Sequence, residues 1–349
     1  MSKKIKAKEI IPLIILAILI AATVIAIVMQ KESEKMQEVR YGYFDTVTVL
    51  TDYRGEGEDK FRLFCDAVDE DLAFYHKLFN IYDTYDGITN IAVLNERAGE
   101  GPTKVSEELF DFLKYCKDIY SLTDGEVNIC MGAVLRIWHD ARENALNDPI
   151  TAAIPSPELL SSGSEHCNID DLILDGENMT VELRDPEMSL DVGAIAKGYA
   201  VERIAERLVR LGISSVTLDV GGNLRLVGEK PSGDGWVTGI ENPDKTSHET
   251  YIQSFTASDT SVVTSGDYQR YFIVEGKKYH HIIDKDTLRP AEHFASVSVV
   301  CFDSGLADAL STALFCMSYE DGLSLLRGIS EIERVVWVSS DGTVLSYGE

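Results

Sequence analysis

The chain has 349 residues, of which 45% are hydrophobic and 26% charged. That is enough apolar material for one large core or two tightly joined halves. Acidic residues number 58 against 32 basic ones, for a formal net charge of −26, which argues against nucleic acid and anionic lipid surfaces as partners.

The N-terminus reads as a separate unit. Lys3, Lys4, Lys6 and Lys8 precede an uncharged run from Ile10 to Met29. A run of about 20 apolar residues is spanning length for a bilayer. A cleaved signal peptide is the competing reading, but its apolar region is shorter and ends in a small-residue cleavage site. Here the apolar run continues through Val24 to Val28 and ends in Met29-Gln30, with no cysteine after it to carry a lipid. The expectation is therefore a cytoplasmic stretch over 1–9, an uncleaved single-pass transmembrane helix over 10–29 and a polar tether over 30–40. Lysines on the N-terminal flank direct the remaining domain, 41–349, to the extracytoplasmic side of the cell membrane.

Tyr41 to Thr51 alternates as a first strand. Asp59 to Phe79 has a helical stripe of Phe61, Phe64, Val68, Leu72, Tyr75 and Phe79. A second helix is expected over Val105 to Tyr120, with Ser106 as cap and Glu107 and Glu108 favouring its dipole. Ala141 to Ser164, with Pro149, Pro155 and Pro157, reads as the loosest region. Strands are expected around 215–227, 236–241, 251–256, 271–275, 279–283, 296–302 and 334–339. Gly-Asp, Glu-Gly and Asp-Gly turns between them favour antiparallel hairpins. The predicted class is α+β, with largely antiparallel sheets and packed helices. The six cysteines form no C-x-x-C pair, and most read as core thiols.

The segment S-L-D-V-G-A-I-A-K-G-Y-A, Ser189 to Ala200, feeds an amphipathic helix with Ala200, Ile204, Leu208 and Leu211 on one face and Gly212 as its stop. A turn at a helix N-terminus offers free N–H groups that can receive a phosphate. It is not a P-loop, because Lys197 precedes Gly198 and no Ser or Thr follows. Taken alone it is equally a turn eased by glycines. A further helix is expected over Ser304 to Phe315, capped by Asp303 or Ser304. Asp308 and Thr312 project from one face of it, with Ser311 adjacent. A carboxylate and two hydroxyls form a hard-oxygen set suited to magnesium rather than zinc. The alternative is that both hydroxyls bond back to the preceding turn. Asp308 must either face solvent or be neutralised.

D-V-G-A-I-A-K-G-Y-A, D-V-G-G-N at Asp219 to Asn223, T-S-G-D-Y at Thr264 to Tyr268, H-H-I-I-D at His280 to Asp284 and A-D-A-L-S-T at Ala307 to Thr312 together resemble the ApbE family of FAD:protein FMN transferases. Y-F-D-T at Tyr43, F-N-I-Y-D at Phe79 and T-D-G-E-V-N-I at Thr123 fit the same order. The family's H-x-I-D-P-x-T-G-x-P departs here to Lys285 for Pro and Leu288 for Gly, which is expected to loosen that turn. Asn128 stands where Asp is more usual.

The resemblance implies a T-fold-like ApbE architecture. It implies magnesium-dependent transfer of the FMN moiety of FAD, as substrate, to a threonine hydroxyl of a target flavoprotein, with release of AMP. Membrane redox subunits are the family's targets. Carried over by motif, the flavin nucleotide meets Phe44, Tyr82, Glu126, Val127, Asn128, Asp191, Lys197 and Ile282. The metal meets Ala194 through its carbonyl, with Asp308, Ser311 and Thr312. A pyrophosphate on so acidic a chain requires local cations, and Lys197 and the metal are the expected ones. His281 is the expected general base, with His280 pointing to the opposite face. Two alternatives stay open: a pyrophosphatase that cuts FAD to FMN and AMP with water, and a membrane-tethered flavin-binding module.

Overall fold

The structure is a computed structural model that describes residues 35–53, 57–244 and 246–348. The expected cytoplasmic stretch, transmembrane helix and start of the tether lie outside the described residues. Among the described residues no helix is long and apolar enough to cross a membrane.

The N-terminal half runs β1 (Met36–Tyr43), β2 (Thr46–Asp52), α1 (Glu58–Leu78), α2 (Ile91–Glu96), β3 (Thr103–Lys104) and α3 (Glu107–Leu122). It continues with α4 (Gly132–Asn147), α5 (Pro157–Ser164), β4 (Leu172–Asp175), β5 (Thr180–Leu183) and α6 (Ala196–Arg210). Then come β6 (Val216–Val220), β7 (Asn223–Val227), β8 (Trp236–Glu241), β9 (Tyr251–Ala257), β10 (Ser261–Gly266), β11 (Tyr271–Val274) and β12 (Lys277–His280). The chain closes with β13 (Ser296–Cys301), α7 (Ser304–Cys316), α8 (Tyr319–Leu326), β14 (Ile332–Val338) and β15 (Val344–Gly348).

One eight-stranded sheet organises the fold, in the order β1-β2-β6-β7-β10-β13-β14-β15. Every pairing in it is antiparallel. Thr48, Val220, Asn223, Val263, Val299 and Val335 stand opposite one another across neighbouring strands and so share one face. That face packs against helices: Phe64, Val68 and Leu72 of α1 meet Val201, Ile204 and Leu208 of α6 and Leu218 of β6. Further along, Leu310 and Leu314 of α7 meet Val297, Val299 and Trp337. The β8–β9 hairpin covers part of the other face, with Ile240 on Val336 and Val338. A third core joins Leu109, Phe112, Leu113 and Cys116 of α3 to Val127, Ile129, Leu190 and Ile195.

The α+β class and the antiparallel hairpins are as expected. Ser106 caps α3 by accepting the Leu109 N–H at 3.3 Å, and Asp303 caps α7 by accepting the Leu306 N–H at 2.8 Å. Three expectations are corrected. Residues 36–40 are not tether but most of β1. Phe44 and Asp45, at φ 51° and 52°, form a left-handed two-residue turn, and Arg40 pairs with Asp69 of α1 at 2.8 Å. The charge there serves a strand beside an acidic helix. The stretch 141–164 is largely helical, because Pro157 occupies the first turn of α5, where its missing N–H costs nothing, and Ser156 caps that helix at 3.2 Å. The turn after His281 is not loosened: Asp284 and Leu288 tie it through the Asp284 N–H to Arg289 and the Leu288 N–H to Asp284, both 2.9 Å. Leu288 adopts φ 56°, the conformation a glycine takes without cost. All six cysteines are free thiols, and five of them are buried.

Candidate functional site

The site assembles where the segment before α6 meets α7 and the end of β12. Residues 189–192 are clamped on both sides. The Asp191 N–H donates to the Ile129 carbonyl at 2.8 Å, and the Leu190 N–H donates to Asn95 Oδ1 at 2.7 Å. Asp191 Oδ1 accepts the Gly193 N–H at 2.9 Å, which curls the chain into α6. The Asp191 side chain is partly open to solvent yet densely surrounded by protein. That desolvation raises its pKa, opposed by the Gly193 N–H and then by Arg270, His139 and Arg136.

Helices α6 and α7 cross at their N-terminal halves. A Cβ at Gly198 would collide with the Ser304 carbonyl oxygen and come within 2.5 Å of Asp308 Cβ, so only glycine permits the approach. Asp308 is 3% exposed. Its Oδ2 accepts the Gly198 N–H at 2.8 Å, and its Oδ1 lies 3.6 Å from Lys197 Nζ. The buried carboxylate is thus neutralised, as its place in an apolar helix demanded. Ser311 Oγ donates to the Asp308 carbonyl at 2.9 Å and lies 2.8 Å from Ser265 Oγ. Ser311 is fully buried, like Asp308, and its hydroxyl contacts join α7 to β10. Thr312 is half-buried, with Oγ1 3.2 Å from Ser265 Oγ. Ser265 sits in T-S-G-D-Y but was not singled out from sequence. Ala194 is half-buried in the turn before α6.

The two histidines diverge as expected. His280 is buried: its Nδ1 accepts the Ile282 N–H at 3.2 Å, and its Nε2 donates to the Ala291 carbonyl at 2.8 Å. His281 is exposed, with Nδ1 3.2 Å from the Arg270 carbonyl. Its ring is accessible yet crowded by protein on several sides. That crowding, and then the positive charge of Arg270, pulls its pKa down to about 3.

The positions carried over for the flavin are unequal. Tyr82 is 62% exposed and rests on the His139 ring at 5.5 Å. Phe44, at the tip of the β1–β2 hairpin, is half-buried, makes an edge contact with His76 at 5.8 Å and donates its N–H to that ring. Glu126 pairs with Lys285 at 3.4 Å. Val127 and Ile282 are buried in the cores, which leaves only their main chain for a ligand. The Asn128 amide is already engaged: Nδ2 donates to the Cys167 carbonyl and Oδ1 accepts the Cys130 N–H, both at 2.9 Å.

Sequence reasoning missed most of the basic side chains around Asp191. Arg270, Arg136 and His139 all act on Asp191, while Arg270 and Arg142 act on Tyr82. Arg136 also donates to Ser189 Oγ at 3.0 Å. Arg270 lies two residues beyond T-S-G-D-Y, and Arg136, His139 and Arg142 recur at helical spacing on α4. That spacing was the available signal.

The sequence pattern of the ApbE family matches residues 42–336. A Treponema pallidum protein named FAD:protein FMN transferase is 34% identical over 260 residues, covering 70% of this chain and 69% of that protein. One of the same name from Klebsiella pneumoniae is 29% identical over 284 residues, covering 79% and 85%. The crystal structure of the ApbE protein of Thermotoga maritima has a TM-score of 0.76 at 26% identity, covering 89% of this chain and 96% of that one. The flavin transferase ApbE from Vibrio cholerae shares the fold, with a TM-score of 0.73 at 24% identity over 90% and 97% of the two chains. The motifs, the fold and the span of the match agree, and the chain belongs to the ApbE family.

Proposed function

We propose that this protein transfers the FMN moiety of FAD to a threonine hydroxyl of a target flavoprotein and releases AMP. The observation that carries this reading is the grouping of Asp191, Lys197 and Asp308 around the N-terminus of α6, with Lys197 Nζ 3.6 Å from Asp308 Oδ1. That grouping offers an anion site, a counter-charge and a hard carboxylate together. The relatives' printed names, FAD:protein FMN transferase, support the same activity.

In the reaction the threonine Oγ attacks the FMN phosphorus. The bond from that phosphorus to the oxygen of the AMP phosphate breaks, and AMP departs with that oxygen. His281 takes the threonine proton at Nε2, because Nδ1 already faces the Arg270 carbonyl. Lys197, Arg136 and Arg270 hold the phosphates against an otherwise repelling chain of charge −26. Asp191 orients the nucleotide. Such chemistry rests mainly on positioning and charge neutralisation.

The donor set fits magnesium. Asp308 would offer a buried carboxylate, Thr312 a hydroxyl and Ala194 a main-chain carbonyl, all hard oxygens. Among the described residues no group of three His, Cys, Asp or Glu side chains is arranged to hold a metal, so a closed zinc-type cage has no counterpart there. Magnesium held there would supply neutralisation of phosphate charge. We further propose an uncleaved anchor at residues 10–29, with the domain on the extracytoplasmic side and membrane redox subunits as targets.

The test is incubation of the protein with FAD, magnesium and a threonine-bearing target, followed by denaturing electrophoresis. A fluorescent flavin band on the target is the expected result. Free FMN without that band would favour a hydrolase, and no AMP release would favour a binding module. Protease added to spheroplasts should digest the domain; protection would count against the proposed topology.

A further inference from the structure

The α6–α7 crossing is tied by a reciprocal pair of carboxylates. Asp308 of α7 accepts the Gly198 N–H, in the first turn of α6, at 2.8 Å. Glu202 of α6 accepts the Ser304 N–H, the first of α7, at 2.9 Å. Each helix therefore supplies the acceptor for an N–H that the other cannot satisfy internally. Glu202 is 2% exposed and is held by Arg225, itself 2% exposed, at 3.2 Å. The Arg225 guanidinium also reaches Asp259 at 3.0 Å, donates to the Leu226 carbonyl at 2.6 Å and lies over the Phe302 ring at 4.5 Å. Arg225 is thereby locked to β7 and to the segment entering α7.

A buried ion pair is weak evidence for stability, since apolar residues of similar volume often serve as well. What it supplies here is direction. Glu202 places a charged acceptor at the start of α7, and Arg225 fixes where that acceptor lies relative to the sheet. Asp308 stands four residues further along α7 and Lys197 five before Glu202 on α6. A shift of one helix against the other would change the 3.6 Å spacing between Lys197 Nζ and Asp308 Oδ1.

We propose that Glu202, held by Arg225, is a positioning residue for the Asp308 site: it sets the crossing of α6 on α7 and hence the placement of the carboxylate that meets the divalent cation. This rests on the transferase reading and on Asp308 as the cation's carboxylate.

The test uses the full chain and reads manganese binding directly by electron paramagnetic resonance, as a magnesium substitute, beside thermal unfolding and FMN transfer. In Glu202→Gln, cation affinity should fall roughly 10–100-fold, as for other residues that orient a metal ligand, at temperatures where the variant is fully folded. In the double variant Glu202→Leu, Arg225→Met no buried charge is left unpaired, since the carboxylate that remains, Asp259, is half-exposed. That variant should regain thermal stability but not cation affinity. Wild-type affinity in either folded variant overturns the proposal. Should Glu202→Gln fail to fold, the double variant carries the test alone. A double variant that also fails to fold makes the pair a folding determinant and overturns the positioning role. If the wild-type protein binds no manganese, or makes no covalent flavin, it is the underlying reading that fails.

Discussion

His281 Nδ1 lies 3.2 Å from the carbonyl oxygen of Arg270. A carbonyl only accepts, so Nδ1 carries the proton and Nε2 keeps its lone pair. Arg270 therefore acts twice on the same ring. Its main chain selects the basic tautomer, and its guanidinium helps hold the ring neutral.

That arrangement sets a pH dependence. Crowding, then Arg270, lowers the folded pKa from 6.5 to about 3. The folded state thus binds fewer protons than the unfolded state across that window. Any stability His281 contributes is present above 6.5 and is lost as pH falls toward 3. For transfer, the base remains neutral through mildly acid solution. The acidic limb of kcat/KM, which reports the free enzyme, should lie below 6.5. Arg270→Gln should move it upward. A wild-type limb at or above 6.5, measured as a pH–rate profile, would remove His281 from the role of base.

Asp191 illustrates a trade of stability for function. Desolvation raises its pKa, so its charged form is held at a cost at neutral pH, and the folded state gains as pH falls toward that raised value. Asp191→Asn keeps an acceptor for the Gly193 N–H and removes the charge. The variant should melt no lower than wild type while binding FAD more weakly. Fluorescence titration with FAD and a thermal melt check both halves; tight binding by the variant would refute the nucleotide role.

Two substitutions at Asp308 separate capping from cation binding. Asp308→Asn retains an oxygen for the Gly198 N–H, whereas Asp308→Ala leaves that N–H without its partner. The alanine variant should lose about 0.5–2 kcal/mol of stability, the usual range for a lost helix cap. Asparagine should lose less. Both should abolish magnesium-dependent transfer. Normal flavinylation by either variant at limiting magnesium would sink the assignment.

Gly198→Ala should be destabilising although alanine is the better helix former by about 1 kcal/mol. The added methyl meets the Ser304 carbonyl oxygen and Asp308 Cβ, backbone and buried core that cannot move aside cheaply. Overpacking of this kind typically costs about 1–3 kcal/mol. Differential scanning calorimetry should show a lower melting temperature, together with weaker transfer from the displaced Asp308. An unchanged melting temperature would mean the two helices can part freely.

Local signals made α1, α3, α6 and α7 legible from the sequence. Ser106 and Asp303 each cap the helix they precede, and the stripes Phe61–Phe64–Val68–Leu72 and Leu109–Phe112–Leu113–Cys116 are buried as their periodicity requires. The recurring motifs identified the residues that gather at the site: Asp191, Lys197, His281 and Asp308. Partnerships between distant segments were not legible. Nothing near Asn128 announces that its amide is engaged by Cys167, 39 residues away. Residues 36–40 read as a tether because the partner of Arg40, Asp69, lies 29 residues on in another element.

The sequence by itself determined the family, the class and the chemical types assembled at the site, because periodicity, caps and motif residues are properties of short stretches. Only the tertiary structure decided which of those residues meet. The Gly198 N–H and Asp308 lie 110 residues apart, and their bond exists because two helices cross where a side chain on Gly198 would forbid it. The cations Arg136 and Arg270 likewise become part of the site only because folding brings α4 and the turn before β11 around Asp191. Charge acts through distance in space, and that distance is set by packing rather than by position along the chain.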